Sequence, residues 1–368
     1  MAKTKRNDVR KRLDGLFFRL AALGLDGALL SGRDDIFYCT GYTGSDAVVL
    51  VSAKKKKGWL VTDSRYTEEA ANTAPDVETE VWRAGFGAYV GKRIHKLGMK
   101  KIGYAPQTLT VSFFNAVSAE SAKGAKWIDI GAMLGDMRAV KSSGELALMQ
   151  AALTCAEDAF FAAKKRWRIG MTEMDVKNDL EWEMRRRGAE DAAFETIVAV
   201  GANASLPHAH AGGRKLAGGK MVLIDFGARV NRYNSDLTRT LWMGEIPKVW
   251  ARRYQAVLDA QQAGIIAIQP GVVCGAPDKA ARAVFAERKL EGYFTHSLGH
   301  GVGLAVHEEP RLGRANERVL EPGNIVTVEP GVYFPGSGGI RTEDMVVVER
   351  TGARVMSTLE KSLAGAVL

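Results

Sequence analysis

Four carboxylates and one histidine recur in strand-like contexts between Val222 and Val348. Like charges crowded into apolar surroundings need a countercharge. Asp225 and Asp236 lie in VLIDFGARVNRYNSDLTRTLW, His300 in HSLGHGVG, Glu329 in VTVEPGVY and Glu343 in GIRTEDMVVV. Side chains alternate faces along a strand, so Asp225 points away from Ile224 and Phe226 into whatever cavity lies beneath. The NRYNSD segment permits a turn that brings Asp236 to the same point from the adjacent antiparallel strand. Taken alone, Asp225 reads as a strand-end residue satisfying backbone amides. The strand positions of Glu329 and Glu343 reverse that reading, because four buried acids must be compensated. Two divalent ions would balance them, with a bridging hydroxide as the extra charge and as a nucleophile at neutral pH. Oxygen donors with one imidazole suit manganese, cobalt, zinc or iron better than copper or an iron–sulfur cluster. The pattern is that of a metal-dependent hydrolase.

A length of 368 residues predicts two domains with cores of their own. The three cysteines, Cys39, Cys155 and Cys274, are far apart and form no CxxC, which points to a reducing, cytoplasmic setting. No signal peptide or membrane-spanning run is expected. The net charge of +9 invites a nucleic-acid reading, yet the excess sits in the amino-terminal tail and in Lys54 to Lys57, which reads as a hairpin turn. No stacking aromatics or nucleic-acid motif accompany it, so no nucleic-acid partner is expected.

The amino-terminal third alternates helix and strand patterns: a helix over about Asp8 to Leu23, then GALLS, IFYCTGYT, AVVLVS and GWLVTD as strands. Further helices and strands follow to about Gly131. A long helix then begins near Ser143, read as its cap, and Gly170 marks its stop. Thr172 and Asp175 form a capping-box start for a second helix, with Met174, Leu180, Trp182 and Met184 as its apolar positions. Two more helices are predicted at about 247 to 267 and 276 to 289. The intervening β runs build two hairpins, each presenting a pair of acids.

Five stretches in order, LPHAHAG, IDFGARVNRYNSDLTR, HSLGHGVGLAVHEEP, VTVEPGVY and GIRTEDMVVV, resemble the motifs of the pita-bread metallopeptidases, which include Xaa-Pro aminopeptidase, prolidase and methionine aminopeptidase. The resemblance spans nearly the whole chain. It implies an α/β (α+β) chain with a creatinase-like amino-terminal domain over 1–136 and a pita-bread catalytic domain of two related halves over 137–368. It makes Asp225, Asp236, His300, Glu329 and Glu343 ligands of two divalent metal ions, with manganese favoured over cobalt or zinc. Asp236 and Glu343 would bridge both ions. His208 and His307 fall at the family's catalytic histidines, Glu329 would take the proton of the attacking hydroxide, and His296 and Arg341 match positions lining the site of the proline-specific branch. His210 is outside the motif and reads as an exposed loop residue; His95 reads as a solvent-facing helix residue. Tyr333 fits core packing at least as well as substrate contact.

The presence of an amino-terminal domain separates this chain from simple methionine aminopeptidases. Its TGYTGS and TDSRY segments are closer to aminopeptidase P than to prolidase. Intact ligand positions argue against creatinase, which uses no metal, and against a non-catalytic binding module on the same fold. The expected substrate is a peptide with proline at its second position, cut by an aminopeptidase P, with prolidase as the alternative. A prolidase also needs a cation for the terminal carboxylate of its dipeptide, for which Arg341, Arg311 and Arg65 are candidates. The family is often dimeric, so a homodimer is expected.

Overall fold

Short apolar runs in the first third pair into one six-stranded sheet, in the order Glu78–Val81, Lys57–Thr62, Ala47–Ser52, Gly27–Leu30, Lys101–Tyr104, Lys126–Asp129. The computed structural model describes residues 2–368, with side chains from residue 7 onward, so the start of the basic tail lies outside the described side chains. The chain divides into two compact units, Met1–Arg138 and Ala139–Leu368. In the first, the central strands pair antiparallel and the flanking ones parallel. Leu29, Leu50, Trp59, Val61 and Ile102 from the sheet pack with Val90, Ile94 and Val117 from helices Phe86–Lys96 and Val111–Glu120. Lys54 to Lys56 form the turn between Ala47–Ser52 and Lys57–Thr62, where exposed charge keeps the hairpin tip in water.

One predicted strand is a helix. IFYCT belongs to Arg33–Thr40, whose first turn carries Asp34 and Asp35 and whose end is closed by Gly41 at φ 80°, its N–H returning to Phe37 O. Acids at a helix start and a left-handed glycine at its end outweigh the β preference of isoleucine, phenylalanine and tyrosine. Two details of the next helices also differ. Ser142, not Ser143, caps helix Ser143–Lys164, because its side chain and that of Glu145 complete a reciprocal capping box. In helix Glu173–Arg186 the expected Thr172–Asp175 box is present, but only Leu180 and Met184 of the four apolar positions are buried, together with Val176; Met174 and Trp182 face outward.

The second unit has two similar halves. In one, helices Ser143–Lys164 and Glu173–Arg186 pack together over strands Ile197–Val200, Met221–Phe226 and Leu237–Trp242. In the other, helices Lys248–Ala267 and Gly275–Glu287 pack together beside a five-stranded antiparallel sheet that contains Gly299–Gly301, Ile325–Val328 and Asp344–Glu349. The halves meet where Thr238 and Thr240 face Arg341 to Glu343: Glu343 N donates to Thr238 O, and Thr240 Oγ1 to Arg341 O. Helix Ser143–Lys164 is the one described helix long and apolar enough to cross a membrane. Its Met149, Ala152, Leu153, Ala156 and Phe160 are instead buried in the core of this unit.

Candidate metal centre

Three of the four acids, Asp236, Glu329 and Glu343, stand just beyond a strand end or at a break in a strand, where the backbone leaves the ladder. Asp225 occupies the middle strand of its sheet, paired with Ile197 on one side and Thr238 on the other. The returning strand is interrupted between Tyr233–Asn234 and Leu237–Trp242, and Asp236 lies in that interruption. In the other half, Val328 pairs with Asp344, so Glu329 and Glu343 leave the same end of the hairpin together. Gly299 lets His300 approach them: a Cβ on Gly299 would lie 2.0 Å from Thr327 O.

These side chains line one cavity of about 490 Å³. Asp236, His300 and Glu343 each offer a ligand atom within 4.8 Å of the other two. His300 Nε2 lies 3.3 Å from Glu329 Oε1 and 3.7 Å from Asp236 Oδ2. Its Nδ1 is 3.0 Å from Gly301 O and donates there, which turns the Nε2 edge of the ring toward the acids. Asp225 accepts from Arg341 Nη2 on Oδ2 at 2.6 Å, while its Oδ1 is buried with no hydrogen-bond partner. A buried carboxylate oxygen without a donor is what a cation completes.

The electrostatics point the same way. Burial, then the neighbouring acids, push the carboxyl of Asp236 well above its ordinary range, and that of Glu343 likewise. Asp225 is raised for the same first reason, against the pull of Arg341. At His300 burial disfavours charge, but the hydrogen bond and charge of Glu329, with Asp236 beside them, prevail and push the imidazole up to about 9. Glu329 is held at about 2: burial opposes its charge, and the bond from His300 overcomes that. In this arrangement the imidazole proton and Arg341 are the positive charges among the acids. Divalent cations fit the residues present, because they would take that place and satisfy Asp225 Oδ1 together.

The other histidines sort into two groups. His296 Nδ1 donates to Ser297 O at 2.8 Å, and its Nε2 accepts from Tyr333 OH at 2.9 Å. The Tyr333 oxygen in turn accepts from Arg341 Nη1 at 2.8 Å, so His296, Tyr333, Arg341 and Asp225 form one chain of hydrogen bonds. Tyr333 is thus part of the site, with its phenol raised to about 12 by burial. His208 and His307 line the cavity from exposed loops, the His307 ring 4.3 Å from that of His300. His210 also reaches the rim; its side chain is 82 % exposed and its Nδ1 lies 3.5 Å from Glu195 Oε2. His95 is exposed on helix Phe86–Lys96. Arg311 lines the cavity, whereas Arg65 belongs to the first unit, paired with Asp63.

Two threonines were missed at the level of sequence. Thr238 Oγ1 donates to Glu343 Oε2 at 2.7 Å and accepts from Arg341 Nε at 3.0 Å. Thr327 Oγ1 donates to Glu329 Oε1 at 3.2 Å and accepts from His300 N at 3.1 Å. Each stands two residues from a site acid, Asp236 or Glu329, and the period of two along a strand was the signal that could have found them.

A buried set of acids and one imidazole at the floor of an open cavity, in a unit of two similar halves, defines a metallopeptidase. Residues 147–350 match metallopeptidase family M24, and residues 12–140 match the creatinase/prolidase N-terminal domain. The chain is 31% identical over 339 residues to an Xaa-Pro dipeptidase of Pyrococcus horikoshii, covering 92% of this chain and 94% of that protein. It is similar in structure to an Xaa-Pro dipeptidase from Bacillus anthracis, with a TM-score of 0.93 and 35% identity over 98% of this chain and 100% of the other. It is also similar to an X-Pro aminopeptidase from Thermotoga maritima, with a TM-score of 0.88 and 34% identity over 97% and 99%. The chain belongs to the proline-specific branch of metallopeptidase family M24.

Proposed function

We propose that the chain hydrolyses Xaa-Pro dipeptides, as an Xaa-Pro dipeptidase. The observation that carries this reading is Arg311, which lines the cavity with no carboxylate partner among the described residues. A guanidinium left open in a cavity floored by acids suits the free carboxylate of a dipeptide. The amide that continues a longer peptide would leave it unpaired. Relatives named Xaa-Pro dipeptidases support the reading, while the Thermotoga X-Pro aminopeptidase shows that the same fold serves both activities. The sequence segments TGYTGS and TDSRY favour the aminopeptidase instead, so substrate length decides.

Asp225, Asp236, His300, Glu329 and Glu343 would hold two divalent ions, for which manganese, cobalt or zinc suit the donors. When bound, such ions supply Lewis acidity and lower the pKa of water. Glu329 takes the proton of the attacking water. His208 and His307, at the cavity wall, donate to the carbonyl oxygen as it gains charge and hold the proline side in place. Arg341 keeps one oxygen of Asp225 occupied, so that only the other is offered to the centre. A proton delivered to the departing proline nitrogen completes cleavage. That nitrogen carries no N–H in the substrate, so recognition must come from shape and from the chain end.

The test compares Leu-Pro with a Leu-Pro-Xaa tripeptide on manganese-loaded protein. A kcat/KM at least about tenfold higher for the dipeptide is expected from one charge-assisted contact. The opposite preference identifies an aminopeptidase P, and inertness toward both overturns the enzymatic reading.

A further inference from the structure

Glu308 follows His307 directly, and its carboxylate meets Lys141 Nζ at 2.9 Å with the two side chains 2 % and 1 % exposed. No step of the reaction uses either residue. Removing two charges from water is costly, and an apolar pair would pack as well or better, so such a pair signals a need for direction rather than for stability. Lys141 is itself held in place: its N–H donates to Gly323 O at 2.9 Å, and Asn324 Nδ2 donates to Ala139 O at 3.0 Å beside it.

The pair lies against the loop that carries His307, one of the two histidines of the cavity wall. The chain leaves the strand Gly299–Gly301 just after His300 and returns at Glu308, whose Cα partner is Gly301. Near its start the loop is gripped by Asn234, whose N–H donates to Gly303 O at 2.9 Å and whose Nδ2 donates to Leu304 O at 2.8 Å. Near its end it is gripped by Glu308, whose carboxylate fills the space a side chain at Gly303 would occupy: a Cβ there would lie 1.9 Å from Glu308 Oε1. The His307 imidazole between these anchors makes no hydrogen bond among the described residues and touches the ring of His300 alone among aromatic groups. Its place is therefore set through the backbone.

We propose that the buried Lys141–Glu308 pair is a positioning device that fixes His307 over the metal centre. The inference rests on His307 acting on the substrate, as in the function proposed above. The test replaces both charges with apolar groups of similar size, Lys141→Met with Glu308→Leu, in the full chain. Metal content and fold are expected to be retained, with kcat falling about 10- to 100-fold and KM changing less than about threefold, the signature of a displaced reacting group. In a His307→Ala background the same two changes should cost less than about twofold more, because the group they position is already gone.

A double variant with kcat within twofold of the parent overturns the proposal. A loss that multiplies with His307→Ala overturns it as well, yet leaves the role of His307 standing. If His307→Ala keeps full activity, both fall. Should the double variant not fold, Glu308→Gln, which keeps the volume and loses the charge, is read in the same way. Crystal structures give a readout independent of turnover: a His307 ring displaced by about 1 Å or more in the variant supports the proposal, and an unmoved ring overturns it.

Discussion

Arg341 donates from Nη2 to Asp225 Oδ2 at 2.6 Å and thereby fixes one oxygen of that carboxylate while the other stays without a donor. The same guanidinium reaches Thr238, Tyr333 and the carbonyl of Pro207. A lysine ammonium cannot span four acceptors in one plane. Arg341→Lys should therefore lower kcat/KM by about 10- to 100-fold, the equivalent of roughly 1.5–3 kcal/mol for lost hydrogen bonds to a charged group. Steady-state kinetics on the best Xaa-Pro substrate check this, and an unchanged kcat/KM would show that the fork is dispensable.

Asp236 should be indispensable for metal. Asp236→Ala is expected to abolish metal uptake, measured by elemental analysis of purified protein, and full occupancy would reject its assignment as a ligand. Loss of the repelling carboxylate should also leave the metal-free variant no less heat-stable than the metal-free parent. Saturating the parent with metal at about 100 times its Kd should add roughly 2.7 kcal/mol of stability, visible as a rise in Tm that a chelator reverses.

Arg311 provides the sharpest test of substrate length. Arg311→Met keeps the aliphatic stem and removes the charge, so kcat/KM for a dipeptide should fall by about 10- to 100-fold. That for a tripeptide should move by less than about threefold if the guanidinium binds a terminal carboxylate. Parallel loss on both substrates would assign it a structural part instead.

Away from the site, Glu183 is buried and ion-paired with Arg187, Arg166 and Arg186. Burial works against its charge, but these arginines prevail and hold its carboxyl below the usual range. A depressed carboxyl pKa stabilises the fold above the unfolded value, about 4.3, and that contribution is lost as pH falls through the folded value. Glu183→Gln should lower Tm by a few degrees at pH 7 and by progressively less below about pH 4. Thermal melts across that range decide it; a gap that widens in acid would mean the pair is not the cause.

Much of the centre was legible because strand periodicity is strict. With a period of two, Asp225 had to face away from Ile224 and Phe226, and the structure places it in the cavity. The capping box at Thr172 was equally plain, since its chemistry is local. The helix at Arg33–Thr40 was misread because residues of high β preference were weighed above the acids at its start and the glycine at its end. Trp182, one of the apolar positions of its helix, is exposed, since periodicity ranks apolar residues without knowing which stripe the neighbouring elements cover.

The sequence by itself determined which donors this protein offers and that they fall on strand positions that can face one cavity, because residue type and strand alternation are local properties. Only the tertiary structure decided how those donors are held. The fork of Arg341 on Asp225, the Thr238 hydroxyl behind Glu343, and the Lys141–Glu308 pair beside the His307 loop join residues far apart in the chain. Hydrogen bonds and ion pairs act over about 3 Å whatever the sequence separation, so only the folded arrangement of two facing halves could select these partners.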